Sequence, residues 1–200
     1  MAEKQFLKVS PTLADNAQFK SVADIPSAML KDEYTIQLFP GAYSAITVNG
    51  TDLTFEGVGP KDKVVVTGFN IGNTSTGNVT FTNMTIESTA AAQETINAGI
   101  EVAPEDATVK VICRDVVFAT ANIGVKNHGT GTVLLDRCDA SGVDKAVAAN
   151  AAMTFTFCEL TPNAYGESNN AQIQACTVTS CYGSGSNGDI TTETIIVAIS

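Results

Sequence analysis

Three acidic residues stand at one repeating place in the chain. Asp115, Asp139 and Glu159 each fall six residues after the first member of an apolar pair: Val109/Val111, Val133/Leu135 and Met153/Phe155. If those pairs stack, the carboxylates stack with them at about 4.8 Å per layer. Two layers, about 10 Å, let a carboxyl pair flank a glycosidic bond with inverting geometry. Neighbouring members are spaced to share a Ca²⁺ ion. The plainer expectation is a solvated stripe: the place precedes an inward residue and so points outward, and structural ion pairs also group acids. Arg114 and Arg137, the two arginines of the chain, fall one position apart on adjacent layers and offset that repulsion.

Other reactive side chains carry weaker signals. His128 is the single histidine and lies in a glycine-rich turn, Asn127-His128-Gly129-Thr130-Gly131. Spacing supplies it with no partner acid, so a surface loop residue is expected rather than a catalytic base. The five cysteines, Cys113, Cys138, Cys158, Cys176 and Cys181, form no Cys-x-x-Cys pair. With one histidine they match no usual zinc set and read as small buried thiols of a reducing compartment. Cys138 and Cys158 align on neighbouring layers, but parallel Cβ vectors suit a disulfide poorly, so free thiols are expected. No catalytic residue, metal or cofactor is assigned from the sequence.

Composition narrows the partners. The chain has 200 residues, 44% of them hydrophobic, and a net charge of −10. That charge argues against nucleic acid, which needs a basic face, and disfavours an anionic polysaccharide as the main ligand. No apolar run reaches the 18 or so residues of a membrane span. Met1-Ala2-Glu3-Lys4 opens onto no apolar stretch, so no secretory signal is visible.

The elements that must position these groups are strands. Residues 1–33 are expected to form an N-terminal arm ending in a short capping helix over Phe19 to Asp32, with Val22, Ile25, Met29 and Leu30 on its apolar side. From Tyr34 to residue 182, short alternating segments rich in Val, Ile, Thr and Phe are separated by Gly, Asn, Asp and Ser. Apolar pairs recur at intervals of about 20 to 30 residues: Leu53/Phe55, Val79/Phe81, Val109/Val111, Val133/Leu135, Met153/Phe155 and Ile173/Ala175. Seven residues after each of four anchors comes an apolar echo: Ile86, Val116, Ala140 and Leu160. A coil with several strands per turn explains that echo; a flat antiparallel sheet does not. Phe55, Phe81, Val111, Leu135 and Phe155 should then form one interior column.

Gly77-Asn78-Val79-Thr80-Phe81-Thr82-Asn83-Met84-Thr85-Ile86 resembles a rung of the right-handed parallel β-helices of the pectin lyase-like superfamily. The resemblance implies that Asn83, at the bend, hydrogen-bonds neighbouring backbone. Phe39-Pro40-Gly41-Ala42-Tyr43 resembles the Pro-Gly-x-Tyr corner that opens many such helices. The fold class expected is therefore all-β, a parallel β-solenoid with an N-terminal cap. The resemblance brings no enzyme motif with it. The paired Asp, Arg and Gln motifs of pectin methylesterases are not matched, nor are the Asp-Asp and Arg-x-Lys of polygalacturonases.

Residues 183–200 hold a Gly/Ser break and an apolar end. Ile195, Val197 and Ile199 alternate with Ile196 and Ala198, so the last strand is apolar on both faces and needs cover. A homotrimer with Ile195, Ile196, Val197 and Ile199 at its interface is expected. Small size, missing motifs and that tail resemble accessory proteins of bacteriophage particles. The expectation is a non-enzymatic virion protein, made in the host cytoplasm, that decorates a capsid or builds a spike or fibre and binds capsid or tail proteins. The alternative is a carbohydrate-active β-helix enzyme using the Asp115/Asp139/Glu159 column.

Overall fold

The computed structural model describes residues 5–14, 16–30, 34–72, 75–88, 98–102, 108–119, 123–129, 131–140, 142–143, 145–149, 153–156, 159–160, 176–179 and 195–196. The strands are two to five residues long, and many end where glycine, proline or a residue of positive φ turns the chain. Because the turns within a rung are short, the strands of one rung do not pair with each other. They pair instead with the equivalent strand one coil away, and all the pairings are parallel. The result is a parallel β-helix with three sheets.

Among the described residues, sheet A has nine strands, running from Gln5–Val9 through Tyr34–Leu38, Thr54–Gly57, Asn78–Thr82, Lys110–Arg114 and Val133–Asp136 to Ile195–Ile196. Among them sheet B has six, from Gly41–Tyr43 to Glu159–Leu160, and sheet C five, from Ile46–Val48 to Lys145–Ala149. One rung therefore runs A, then B, then C.

The interior is a set of columns. In sheet A, Ile36, Phe55, Phe81, Cys113 and Leu135 are in register from rung to rung. In sheet C the column is Ile46, Phe69, Ile100 and Val125. Phe55 and Phe81 stack with centroids 5.6 Å apart, and Phe69 leans on Phe81 at 4.5 Å across the interior. The expected column is corrected at one place: Cys113 occupies it, and Val111 pairs with Val79 and Val133 in the neighbouring column. The same two-residue offset makes Phe118, not Val116, the register partner of Ile86. Asn83 does what the resemblance implied. Its Nδ2 donates to the carbonyls of Gly57 (2.7 Å) and Gly59 (2.8 Å), tying one bend to the bend below.

The N-terminal cap differs from a helix over Phe19 to Asp32. Two single 3₁₀ turns form, Val22–Asp24 and Ser27–Met29, because Pro26 interrupts the segment. Ser21 caps the first: its Oγ accepts from Ala23 N at 3.1 Å, and Asp24 Oδ2 accepts from Ser21 N at 3.0 Å. Val22 and Ile25 are buried against the open end of the core. Ahead of the turns, Gln5–Val9 adds a strand to sheet A that alternation alone did not mark.

The Pro-Gly-x-Tyr corner is closed by its tyrosine. The Tyr43 hydroxyl lies 2.6 Å from Phe39 O and 3.0 Å from Val9 O, and Val9 O also accepts from Phe39 N at 2.9 Å, so the corner is tied to the first strand by both side chain and backbone. Burial pushes this phenol up to about 12, against the smaller opposing pull of the Phe39 carbonyl contact. In an alkaline titration followed at 295 nm, one of the four tyrosines should ionise only near that pH or on unfolding. Because the folded-state value lies above the unfolded one, native stability should fall as the pH rises past about 10. Four tyrosines titrating together in the native protein would contradict this placement.

Candidate functional site

The outward row of sheet A collects the polar chemistry. Gln37, Glu56, Thr82, Arg114 and Asp136 are in register on five successive rungs. They face out because the residues before them, from Ile36 to Leu135, fill the interior. Gln37 Nε2 donates to Glu56 Oε2 at 2.9 Å. Next along the chain come Asn83, Asp115 and Arg137, with φ of 55°, 55° and 53°. All three sit at the bend between sheets A and B in the left-handed region, which costs a non-glycine residue about 1–2 kcal/mol. The ladder holds them there: Asn83 N donates to Arg114 O and Asp115 N to Asp136 O, each at 3.0 Å.

That geometry brings four charged groups together. The Arg137 guanidinium makes a bidentate pair with Asp115, Nε to Oδ1 and Nη2 to Oδ2, both 3.0 Å. Its Nη1 reaches Asp136 Oδ2 at 2.6 Å. Arg114 Nε approaches the same Asp136 oxygen at 4.0 Å. Asp136 is the most enclosed member, its side chain 17% exposed against 43% for Asp115 and 51% for Arg137. The hydrogen bond and charge of Asp115, then the charge of Asp136, raise the Arg137 pKa above its ordinary value. Two residues back, Ile112 and Leu134 face outward and half-buried beside this cluster.

Chemically, the set offers a carboxylate held between two guanidinium groups. Fixed there, Asp136 can attack an adjacent carbon or take a proton. Among the described residues Arg114 makes only the long approach to Asp136, which leaves N–H groups to meet a carboxyl or ester oxygen. Sequence spacing had linked Arg114 and Arg137 but missed Asp136, which stands in plain view as Asp136-Arg137.

The acidic column expected at Asp115, Asp139 and Glu159 is corrected. Asp139 and Glu159 are register partners, but the residue beside Asp139 on the preceding rung is Val117. Asp115 lies two places earlier, at the bend, paired with Arg137. Among the described residues, no group of three or more His, Cys, Asp and Glu side chains is placed to hold a metal ion.

His128 also differs from expectation, because an acid does face it. Its Nε2 lies 3.2 Å from Glu101 Oε1, and Lys126 Nζ lies 3.3 Å from the same oxygen. Sheet C supplies both partners from rungs that spacing could not align. Cys113 and Cys138 are buried free thiols. At the tail, Ile195–Ile196 is the edge strand of sheet A, Ile195 in register with Val178. Val197 and Ile199 lie outside the described residues.

A coiled stack of three parallel sheets, with an Asn-pinned bend and polar groups on an open sheet face, is a parallel β-helix. A solved structure shares that fold. Pectin methylesterase PemA from Erwinia chrysanthemi superposes with a TM-score of 0.55 at 13% identity, over 90% of this chain and 61% of that one. The pectin methylesterase of Aspergillus niger gives 0.47 at 12% identity, over 100% and 93%. No family model matches, and no curated protein matches by sequence. At such identity the likeness shows the fold. PemA is nevertheless an enzyme, and the expectation of a non-enzymatic protein is corrected on that likeness. The expected likeness to phage accessory proteins gains no support from it.

Proposed function

We propose that this chain is a carbohydrate-active β-helix enzyme whose site is the outward face of sheet A at Arg114, Asp115, Asp136 and Arg137. One observation carries the reading: both arginines of an otherwise acidic chain converge with two aspartates on one open sheet face. Such a set recognises carboxyl or ester groups, since a guanidinium fork matches their two oxygens. A net charge of −10 repels a polyanion, so an esterified, neutral polysaccharide suits the chain better than a free polyuronate. PemA, a pectin methylesterase of the same fold, supports this substrate class. In this reading Arg114 holds the ester carbonyl and Asp136 takes a proton from water as the water oxygen bonds to the carbonyl carbon. The carbonyl–methoxy bond then breaks and the departing oxygen recovers that proton, leaving methanol and the acid. Asp115 keeps Arg137 in place.

The test is release of methanol from highly methyl-esterified pectin, with new reducing ends counted in parallel on pectin and on polygalacturonate. Methanol release without chain scission is expected. Asp136→Asn should lower it by a factor of about 100 or more, the usual range for removing a reacting acid or base. No turnover of any of these substrates, or full activity in the variant, would sink the proposal.

A further inference from the structure

The face of sheet C carries a second constellation that the sheet A site does not use. Glu101 and Lys126 are register partners on adjacent strands. His128 follows one place past the end of its strand. Its turn is firmly fixed: buried Asn127 donates from Nδ2 to Gly131 O at 2.6 Å and accepts at Oδ1 from Gly129 N at 2.9 Å. His128 N adds a bond to Val102 O at 3.2 Å. Asn127 stands in register with Val48, Ile71 and Val102, a second inward column of sheet C, so an apolar core position has been given up to build this turn.

The contact with Glu101 fixes the imidazole. A carboxylate only accepts, so the ring nitrogen 3.2 Å from Glu101 Oε1, Nε2, must carry the proton. In the neutral ring Nδ1 is then the nitrogen with the lone pair, on a ring whose side chain is 39% exposed. A carboxylate behind an imidazole holds its tautomer and supports positive charge when the other nitrogen takes a proton. Lys126 Nζ, on the same Glu101 oxygen, limits where that carboxylate can move.

We propose that His128 is a general base at a second catalytic site, with Glu101 as its positioning residue, and that the site hydrolyses small carboxylic esters. Nδ1 takes a proton from water as the water oxygen bonds to the ester carbonyl carbon. The carbonyl–alkoxy bond then breaks, and the departing oxygen recovers the proton from the imidazolium. No oxidant, metal or cofactor enters.

The probe is p-nitrophenyl acetate, with the full-length protein compared against an equal concentration of free imidazole and of the urea-unfolded chain. The folded protein should exceed both at least tenfold. His128→Asn should remove the excess. Glu101→Gln should lower kcat with little change in KM, while the exposed control Lys63→Ala changes neither. A folded rate equal to that of free imidazole, or an unchanged rate in His128→Asn with a native circular dichroism spectrum, overturns the proposal. Loss of methanol release from pectin alone would instead reflect on the sheet A site, since the two readouts use different faces.

Discussion

Replacing Phe81 by alanine should cost about 3–5 kcal/mol, measured by urea unfolding, because the cavity opens where the stack cannot close. Phe81 is fully buried and touches aromatic rings on two sheets: Phe55 at 5.6 Å on the rung before and Phe69 at 4.5 Å across the core. A sandwich interior can slide one sheet over the other to fill a void. Here the rungs above and below are pinned by ladder bonds at about 4.8 Å, so collapse along the axis would break hydrogen bonds. Thr80, next to it on the outward face, should cost less than about 1 kcal/mol as alanine. Equal losses at the two positions would mean that the inward assignment of Phe81 is wrong.

Gly57→Ala should destabilise by about 3 kcal/mol, although it adds one methyl group. A Cβ at this position would collide with the backbone carbonyl oxygen of Asn83 on the next rung. Backbone cannot rotate away as a side chain does, so the bend of that rung must move. Moving it stretches the contact from Asn83 Nδ2 to the Gly57 carbonyl, one of the two that pin the bend. Gly59→Ala is the control. It has positive φ, 98°, but only Pro40 Cγ within contact at 3.7 Å. Its cost is then conformational, about 1–2 kcal/mol. If Gly57→Ala proved no worse than Gly59→Ala in the same urea series, the close approach of the two bends would be disproved.

The sequence by itself determined the coil. Alternation of two, turn residues at short intervals and an echo on the next strand leave few arrangements other than stacked rungs, and Asn83 announced the bend. It also determined what faces inward, because burial follows from that alternation at Val79, Phe81, Leu135 and their partners. Register at the fourth full rung was different. In Val109-Lys110-Val111-Ile112-Cys113 a slip of two residues keeps every side chain on its own face, so pattern alone cannot detect it. Only a slip of one would expose the core. The ladder chose Val111, and that choice moved Asp115 out of the acidic column to the bend beside Arg137. The charged sites were decided the same way. Glu101 meets His128 and Arg137 meets Asp115 across rungs 27 and 22 residues apart in the chain. Loops of unequal length set those distances, and no local preference encodes them. Which polar groups share a face was therefore left to the stacking of the rungs, where interstrand hydrogen bonding, and not side-chain chemistry, fixes the neighbours.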